Sequence, residues 1–146
     1  MEYNKTMSKD WVQDINEMHR KFGVHKWISE QVVAGDKEKL QKFLEFRLDF
    51  LQEELNETRA AGIFDRDPEE IVDGLIDLCV VAIGTMDAFG IDAHKAWDEI
   101  HEKNMQKEPG VKESRPNPLG LPDLIKPEGW KGPDHRGNYG YLTNTF

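Results

Sequence analysis

An all-α fold is what the sequence predicts: a bundle of four to five helices followed by an irregular Pro/Gly-rich C-terminal segment. Three observations carry this reading. Apolar residues recur at spacings of three and four over most of residues 1–107, helix-start and helix-stop residues punctuate those runs, and no stretch shows the strict alternation of a half-buried strand.

The elements follow in order. Ser8 is a suitable N-cap for a helix over about residues 9–22, in which Val12, Ile15, Met18 and Phe22 form one stripe before Gly23 ends it. Residues 23–35 have no sustained period and read as a connection with Trp27 as an anchor. Asp36 then caps a long helix whose Leu40, Leu44, Leu48, Leu51 and Leu55 make the strongest amphipathic signal in the chain, closing at Gly62. Asp67-Pro68-Glu69-Glu70 sets an N-cap, a proline at N1 and a capping-box glutamate at N3, opening a helix to about Phe89 with Gly90 just beyond it. Asp92 caps a further helix to about Lys107, with Trp97, Ile100 and Met105 inward, before Pro109 stops it. Six of the seven prolines and half of the twelve glycines lie in residues 108–146. Trp130, Tyr139, Tyr141 and Phe146 are anchors that a free tail does not need, so this segment is expected to wrap over the bundle or over a partner subunit.

At 146 residues the chain has the length of one domain, with 1–107 as its helical core and 108–146 as the wrap. A formal charge of −9 disfavours binding to a phosphate backbone, so no nucleic-acid partner is expected. Cys79 is the only cysteine and is read as a small core residue. The opening MEYNKTMSKD has no apolar signal core, and a cytoplasmic protein is expected. The longest apolar stretch, Ile71 to Met86, is shorter than the roughly 18 residues a spanning helix needs, so no membrane partner is expected.

That stretch contains the sharpest anomaly. It is apolar on nearly every face, which predicts burial, yet Asp73 and Asp77 stand one turn apart on it with no basic residue on the same helix. Either both face solvent on a narrow polar strip or a cation compensates them, and burial favours the cation. The preceding helix carries Glu53, Glu54 and Glu57. A glutamate run often marks only a solvated face, but a short connection makes the two helices antiparallel neighbours and can bring Glu54 and Glu57 opposite Asp73 and Asp77. Four oxygen-only ligands suit a hard cation, Mg²⁺ with Mn²⁺ as substitute, which also binds substrate phosphates. A di-iron bundle is disfavoured, since none of the five histidines lies three residues after a glutamate. Glu70 lies on the same stripe as Asp73 and is read as the helix cap rather than a ligand.

Glu53-Glu54-x-x-Glu57, twelve intervening residues, and Glu70-x-x-Asp73 together resemble the EExxE and ExxD pattern of the all-α nucleotide pyrophosphohydrolases. These comprise the MazG-like proteins, the phosphoribosyl-ATP pyrophosphohydrolases and the dimeric dUTPases. Asp73 to Leu78, Gly90-Ile91-Asp92, His101/Asn104/Lys107 and Lys126 to Trp130 extend the resemblance, which runs from about Trp11 to Gly137. One departure matters. In many relatives the second acidic pair directly precedes the apolar run, which puts Gly74 where a glutamate is expected and leaves Glu70/Asp73 and Asp73/Asp77 as competing pairs; burial favours the second.

The resemblance implies a MazG-like bundle that hydrolyses a (deoxy)nucleoside triphosphate between its α and β phosphates, giving monophosphate and pyrophosphate. Glu54, Glu57, Asp73 and Asp77 are then the metal ligands, and Glu53 positions or deprotonates the attacking water. Asn104 resembles a position that meets sugar or phosphate. Lys107, Lys126 and Lys131 either meet phosphates or are merely solvated. His19 and Trp11 either line a base pocket or pack helices. A homodimer or homotetramer is implied as well. The rival from another class is a non-catalytic helical interaction protein using the acidic face only for assembly, which loses neither fold nor partner when that face is neutralised.

Overall fold

Asp10, not Ser8, caps the first helix in the computed structural model, which describes Ser8 and residues 10–115, 119–120 and 122–146. The Asp10 side chain accepts from the Gln13 amide, and the Ser8 hydroxyl accepts the Asp10 amide instead. Helix α1 spans Trp11–Lys21 and turns Ile15 and His19 inward, whereas Met18 and Phe22, expected on the inner stripe, are exposed.

Residues 23–35 are not a connection. They form a second helix, α2, over Val24–Ala34, bracketed by Gly23 at φ 80° and Gly35 at φ 65°. The left-handed backbone at both ends is the conformation glycine takes at least cost. Val24, Ile28 and Val32 recur every fourth residue, and Ile28 is fully buried against Leu40 and Ala88. Phe43 stacks at ring-centroid distances of 5.4 Å from Trp27 and 5.7 Å from Phe89, so the segment read as irregular sits at the centre of the core.

Asp36 caps α3, Lys37–Ala60, through the Lys39 amide. The helix does not stop at Gly62: it widens into a π-helical turn, Ala61–Asp65, and ends at Arg66, the only described non-glycine residue with positive φ, 51°. Helix α4, Pro68–Ala88, starts as expected, with Asp67 accepting from the Glu69 and Glu70 amides and Pro68 at N1. The capping box is not closed, because the Asp67 amide donates to the Ala61 carbonyl rather than to Glu70. The far end closes in a Schellman motif, the Ile91 amide on Met86 O and the Gly90 amide on Asp87 O.

Helices α3 and α4 run antiparallel, and residue pairings show it. Gly62 lies against Ile71, Thr58 against Gly74, and Arg47 against Val81, Gly84 and Thr85, descending one helix as the other ascends. A Cβ on Gly74 would lie 2.9 Å from Thr58 Cβ and would overlap Thr58 Oγ1. Gly74 therefore sets how closely the helices approach. The inner face of α4 is Gly74, Val81, Gly84 and Ala88, while Val72, Leu75 and Ile76 are exposed. Burial of α4 on all sides, expected from its composition, does not occur within this chain.

The contacts divide the chain into two compact units, the residues through Ala93 together with Tyr139–Phe146, and His94–Asn138. In the first, the C-terminal stretch is ordered as a 3₁₀ turn, Gly140–Asn144. The Tyr141 amide donates to Phe89 O at 2.6 Å, satisfying a carbonyl at the end of α4. Gln41 and Lys37 donate to the carbonyls of Thr145 and Phe146, and Thr145 is fully buried. Gly140, at φ 53°, passes so close to Phe89 O that no Cβ fits.

The second unit holds most of α5, Ala93–Met105, which ends short of Lys107 and leaves Trp97, Ile100 and Met105 exposed, contrary to expectation. A short antiparallel ribbon, β1 Glu108–Gly110 with β2 Asp123–Ile125, forms in the segment read as irregular. Arg115 holds Asp123 by two guanidinium nitrogens, 2.6 and 3.0 Å from its carboxylate.

Candidate functional site

Glu53, Glu54 and Glu57 come from the last two turns of α3, Asp73 and Asp77 from the facing part of α4. The register that seats Gly74 on Thr58 puts Glu54 beside Asp77 one turn further along, and both line a cavity of about 360 Å³. The Glu54 carboxyl is pushed up, first by loss of hydration and then by the charges of Glu57, Asp77 and Glu53. A carboxylate held among like charges is one that a cation would relieve, so the donor set, all oxygen, fits a hard divalent ion.

The premise behind choosing Asp73 and Asp77 does not hold. Both are exposed, as are Glu53 and Glu57, and only Glu54 is half-buried. Burial therefore no longer separates the Asp73/Asp77 pair from Glu70/Asp73, and Glu70 is not engaged as the partner of the Asp67 amide. Nor do the acidic groups converge as they stand: among the described residues the three-residue set with ligand atoms all within 4.8 Å of one another is His19, His25 and Asp87.

That second cluster was not read from the sequence. Asp87 Oδ2 lies 2.9 Å from His19 Nδ1 and 2.6 Å from His25 Nε2, and Asn16 donates to Oδ1 at 2.9 Å. Burial alone would raise the Asp87 carboxyl, but the hydrogen bonds from Asn16, His25 and His19 outweigh it and hold it below its ordinary value. Burial pushes His19 down despite the Asp87 hydrogen bond and charge, and Arg47 and His25 add to the lowering. The balance favours the neutral imidazole more than in a free histidine. Arg47, inside the leucine ladder, donates Nε to Thr85 Oγ1 and Nη2 to Val81 O, and burial lowers it too. A lone arginine among leucines at helical spacing was the available signal for it. For Asp87 it was a lone carboxylate in the last turn of an apolar helix.

Asn104, Lys107, Lys126 and Lys131 all belong to the second unit. There the Lys107 and Lys126 ammonium groups lie 5.2 and 5.1 Å from the Trp130 ring centroid, and the indole N–H donates to Lys103 O. Asn104 is half-buried on the last turn of α5 and Lys131 is exposed. Trp11 lines a separate groove with Ile76 and Cys79, not the cavity that holds His19.

The phosphoribosyl-ATP pyrophosphohydrolase family matches residues 16–104, more than half of the chain. The chain belongs to that family. It is accordingly an all-α member of the MazG-like superfamily of nucleotide pyrophosphohydrolases. The family match takes in Glu53, Glu54, Glu57, Glu70, Asp73, Asp77 and Asn104, and it ends before Lys107, Lys126 and Lys131. No individual curated protein matches the chain. Among the described residues no single helix is long and apolar enough to cross a membrane.

Proposed function

We propose that this family member is a divalent-metal-dependent nucleoside triphosphate pyrophosphohydrolase, which cleaves a (deoxy)nucleotide between its α and β phosphates to give the monophosphate and pyrophosphate. The observation that carries it is the half-buried Glu54 held among the like charges of Glu53, Glu57 and Asp77 on two antiparallel helices.

Glu54, Glu57, Asp73 and Asp77 would hold Mg²⁺, or Mn²⁺ in its place, with Glu70 the competing ligand. Such an ion would supply Lewis-acid stabilisation of the charge that develops on the phosphates and a lowered pKa for water. Glu53 would orient the attacking water and accept its proton. Asn104, Lys107, Lys126 and Lys131 would meet the sugar and phosphates. The working form would be a homodimer or homotetramer.

The test is a product assay with the eight common ribo- and deoxyribonucleoside triphosphates and phosphoribosyl-ATP, with Mg²⁺ and after chelation. Pyrophosphate and monophosphate are the expected products for at least one of the triphosphates, and chelation abolishes the reaction. Orthophosphate and diphosphate as the only products, or full activity after chelation, overturn the reading.

A further inference from the structure

His19, His25 and Asp87 come together from three helices and have no part in the chemistry assigned to the acidic face. His19 lies near the end of α1 and His25 in the first turn of α2, on either side of the corner that Gly23 makes at φ 80°, and Asp87 meets both from the last turn of α4. That corner lets two histidines six residues apart converge on one carboxylate oxygen, Asp87 Oδ2, which is 2.9 Å from His19 Nδ1 and 2.6 Å from His25 Nε2. Each of the three residues offers a ligand atom within 4.8 Å of those of the other two. The side chains of His19 and Asp87 are 6% and 8% exposed, whereas His25, at 32%, keeps the cluster within reach of solvent. His25 and Asp87 also line a cavity of about 460 Å³, together with Asn16, Ser29, Asp92 and Tyr141.

We propose that His19, His25 and Asp87 form a binding site for a divalent ion of the Zn²⁺ class, distinct from the acidic face of α3 and α4. The donor set selects the ion: two imidazole nitrogens and one carboxylate oxygen suit Zn²⁺, whereas Mg²⁺ takes oxygens and keeps its waters. A tetrahedral ion with bonds of about 2.0–2.1 Å spaces its ligand atoms about 3.4 Å apart. That spacing falls between the hydrogen-bond lengths to Asp87 and the 4.8 Å that bounds the set, so ligation exchanges two hydrogen bonds for three metal bonds through small side-chain shifts. Each ring nitrogen facing Asp87 gives up its proton and the other nitrogen of the same ring takes one up, so both imidazoles ligate while neutral. Asn16 donates to Asp87 Oδ1 at 2.9 Å and steadies the carboxylate from outside the ligand set. Three protein ligands leave a fourth position, which water from the polar cavity can fill. The ion would staple α1 and α2 to the end of α4, whatever nucleotide the acidic face handles.

The experiment titrates Zn²⁺ into the chelator-treated full chain in excess Mg²⁺, which keeps the acidic face occupied, and follows binding by calorimetry, thermal unfolding and ¹⁵N NMR of the histidine rings. The wild type is expected to take up one Zn²⁺ per chain, with a raised Tm. The ring signals of His19 and His25 move, and those of His94, His101 and His135 do not. His25→Gln, at a ring one-third exposed, keeps the fold, and Asp87→Asn keeps the volume of the side chain. Each is expected to weaken Zn²⁺ binding by at least about tenfold, as loss of a ligand should cost no less than loss of a supporting contact. Asp77→Asn, on the acidic face, is expected to bind Zn²⁺ as the wild type does. No Zn²⁺ uptake in excess Mg²⁺, ring shifts confined to His94, His101 or His135, or wild-type Zn²⁺ affinity in folded His25→Gln and Asp87→Asn overturns the inference. So does loss of Zn²⁺ binding in Asp77→Asn, which would place the ion on the acidic face. The wild-type ring signals decide the matter even if a variant fails to fold.

Discussion

Replacing Asp77 with asparagine separates the two assignments of the second acidic pair. If Asp77 is a ligand, Asp77→Asn should cost orders of magnitude in kcat/KM and weaken the Mg²⁺ dependence, while stability changes by no more than about 0.5 kcal/mol because the side chain is exposed. Glu70→Gln should then be nearly silent. An active Asp77→Asn with unaltered Mg²⁺ titration, beside an inactive Glu70→Gln, assigns Glu70 and Asp73 as the pair. His19 leads to a different residue-scale expectation, in pH. Its folded-state pKa lies below the ordinary 6.5, so the unfolded chain binds the proton first as pH falls. The stability that comes from burying the neutral ring is complete above about pH 6.5 and is lost as pH drops through that value toward the folded pKa. The groups facing the ring are Asp87 on α4, His25 on α2 and Arg47 on α3; Asp87, also lowered, contributes its own loss only below the ordinary 3.8. Urea unfolding between about pH 7.5 and 5.5 should therefore show a steeper decline for the wild type than for His19→Gln, and parallel curves would remove the neutral-ring assignment. The acidic residues were legible because like charges at helical spacing beside an apolar run are conspicuous. Asp87 and Arg47 were not, because each stands alone in sequence and acquires its meaning only from partners on other helices.

Gly74 and Thr58 supply the test for the long helices. Alanine at an exposed helical glycine adds about 1 kcal/mol of stability. At Gly74 the new Cβ meets Thr58, whose hydroxyl is held by its bond to Glu54 O at 2.7 Å and cannot simply turn away. Gly74→Ala is expected to destabilise by about 1–3 kcal/mol in chemical denaturation, with Thr58→Ala in the same chain recovering part of the loss. A stabilised single variant would show that the helices can separate at no cost. This contact also gives Gly74 a physical role where the family resemblance leads one to expect a glutamate: the site surrenders a possible ligand and gains a close helix crossing. Starts and stops at Asp36, Asp67 and Gly90 were readable because caps are local chemistry. Helix α2 was not, since its apolar repeat of Val24, Ile28 and Val32 is only three residues long between two glycines and yields no sustained period. The β1–β2 ribbon escaped notice for a similar reason, with three residues in each strand.

At the scale of the whole molecule, the apolar residues left uncovered on α4 and on the end of α3 are the basis for expecting a second copy. Val72, Leu75 and Phe64 are 61, 53 and 80% exposed, an arrangement a lone chain in water does not favour. Sedimentation at micromolar concentration should give at least twice the chain mass, and Leu75→Lys should shift it toward the monomer without unfolding it. A stable monomer in the wild type would count against any shared interface. That α4 is apolar all round was plain in the sequence; that its own neighbours cover only one side could not be, because the small residues Gly74, Gly84 and Ala88 draw those neighbours in close and leave the outer side bare. The last feature is the return of Tyr139–Phe146 to the unit built by the residues through Ala93. During synthesis the first unit cannot be completed in the order its helices emerge: the Phe89 carbonyl and the berth of Thr145 stay vacant while His94–Asn138 are made. The Gly140–Asn144 turn is thus a latch that can close only after His94–Asn138 have been made, and until it does the helical unit stays open at one end.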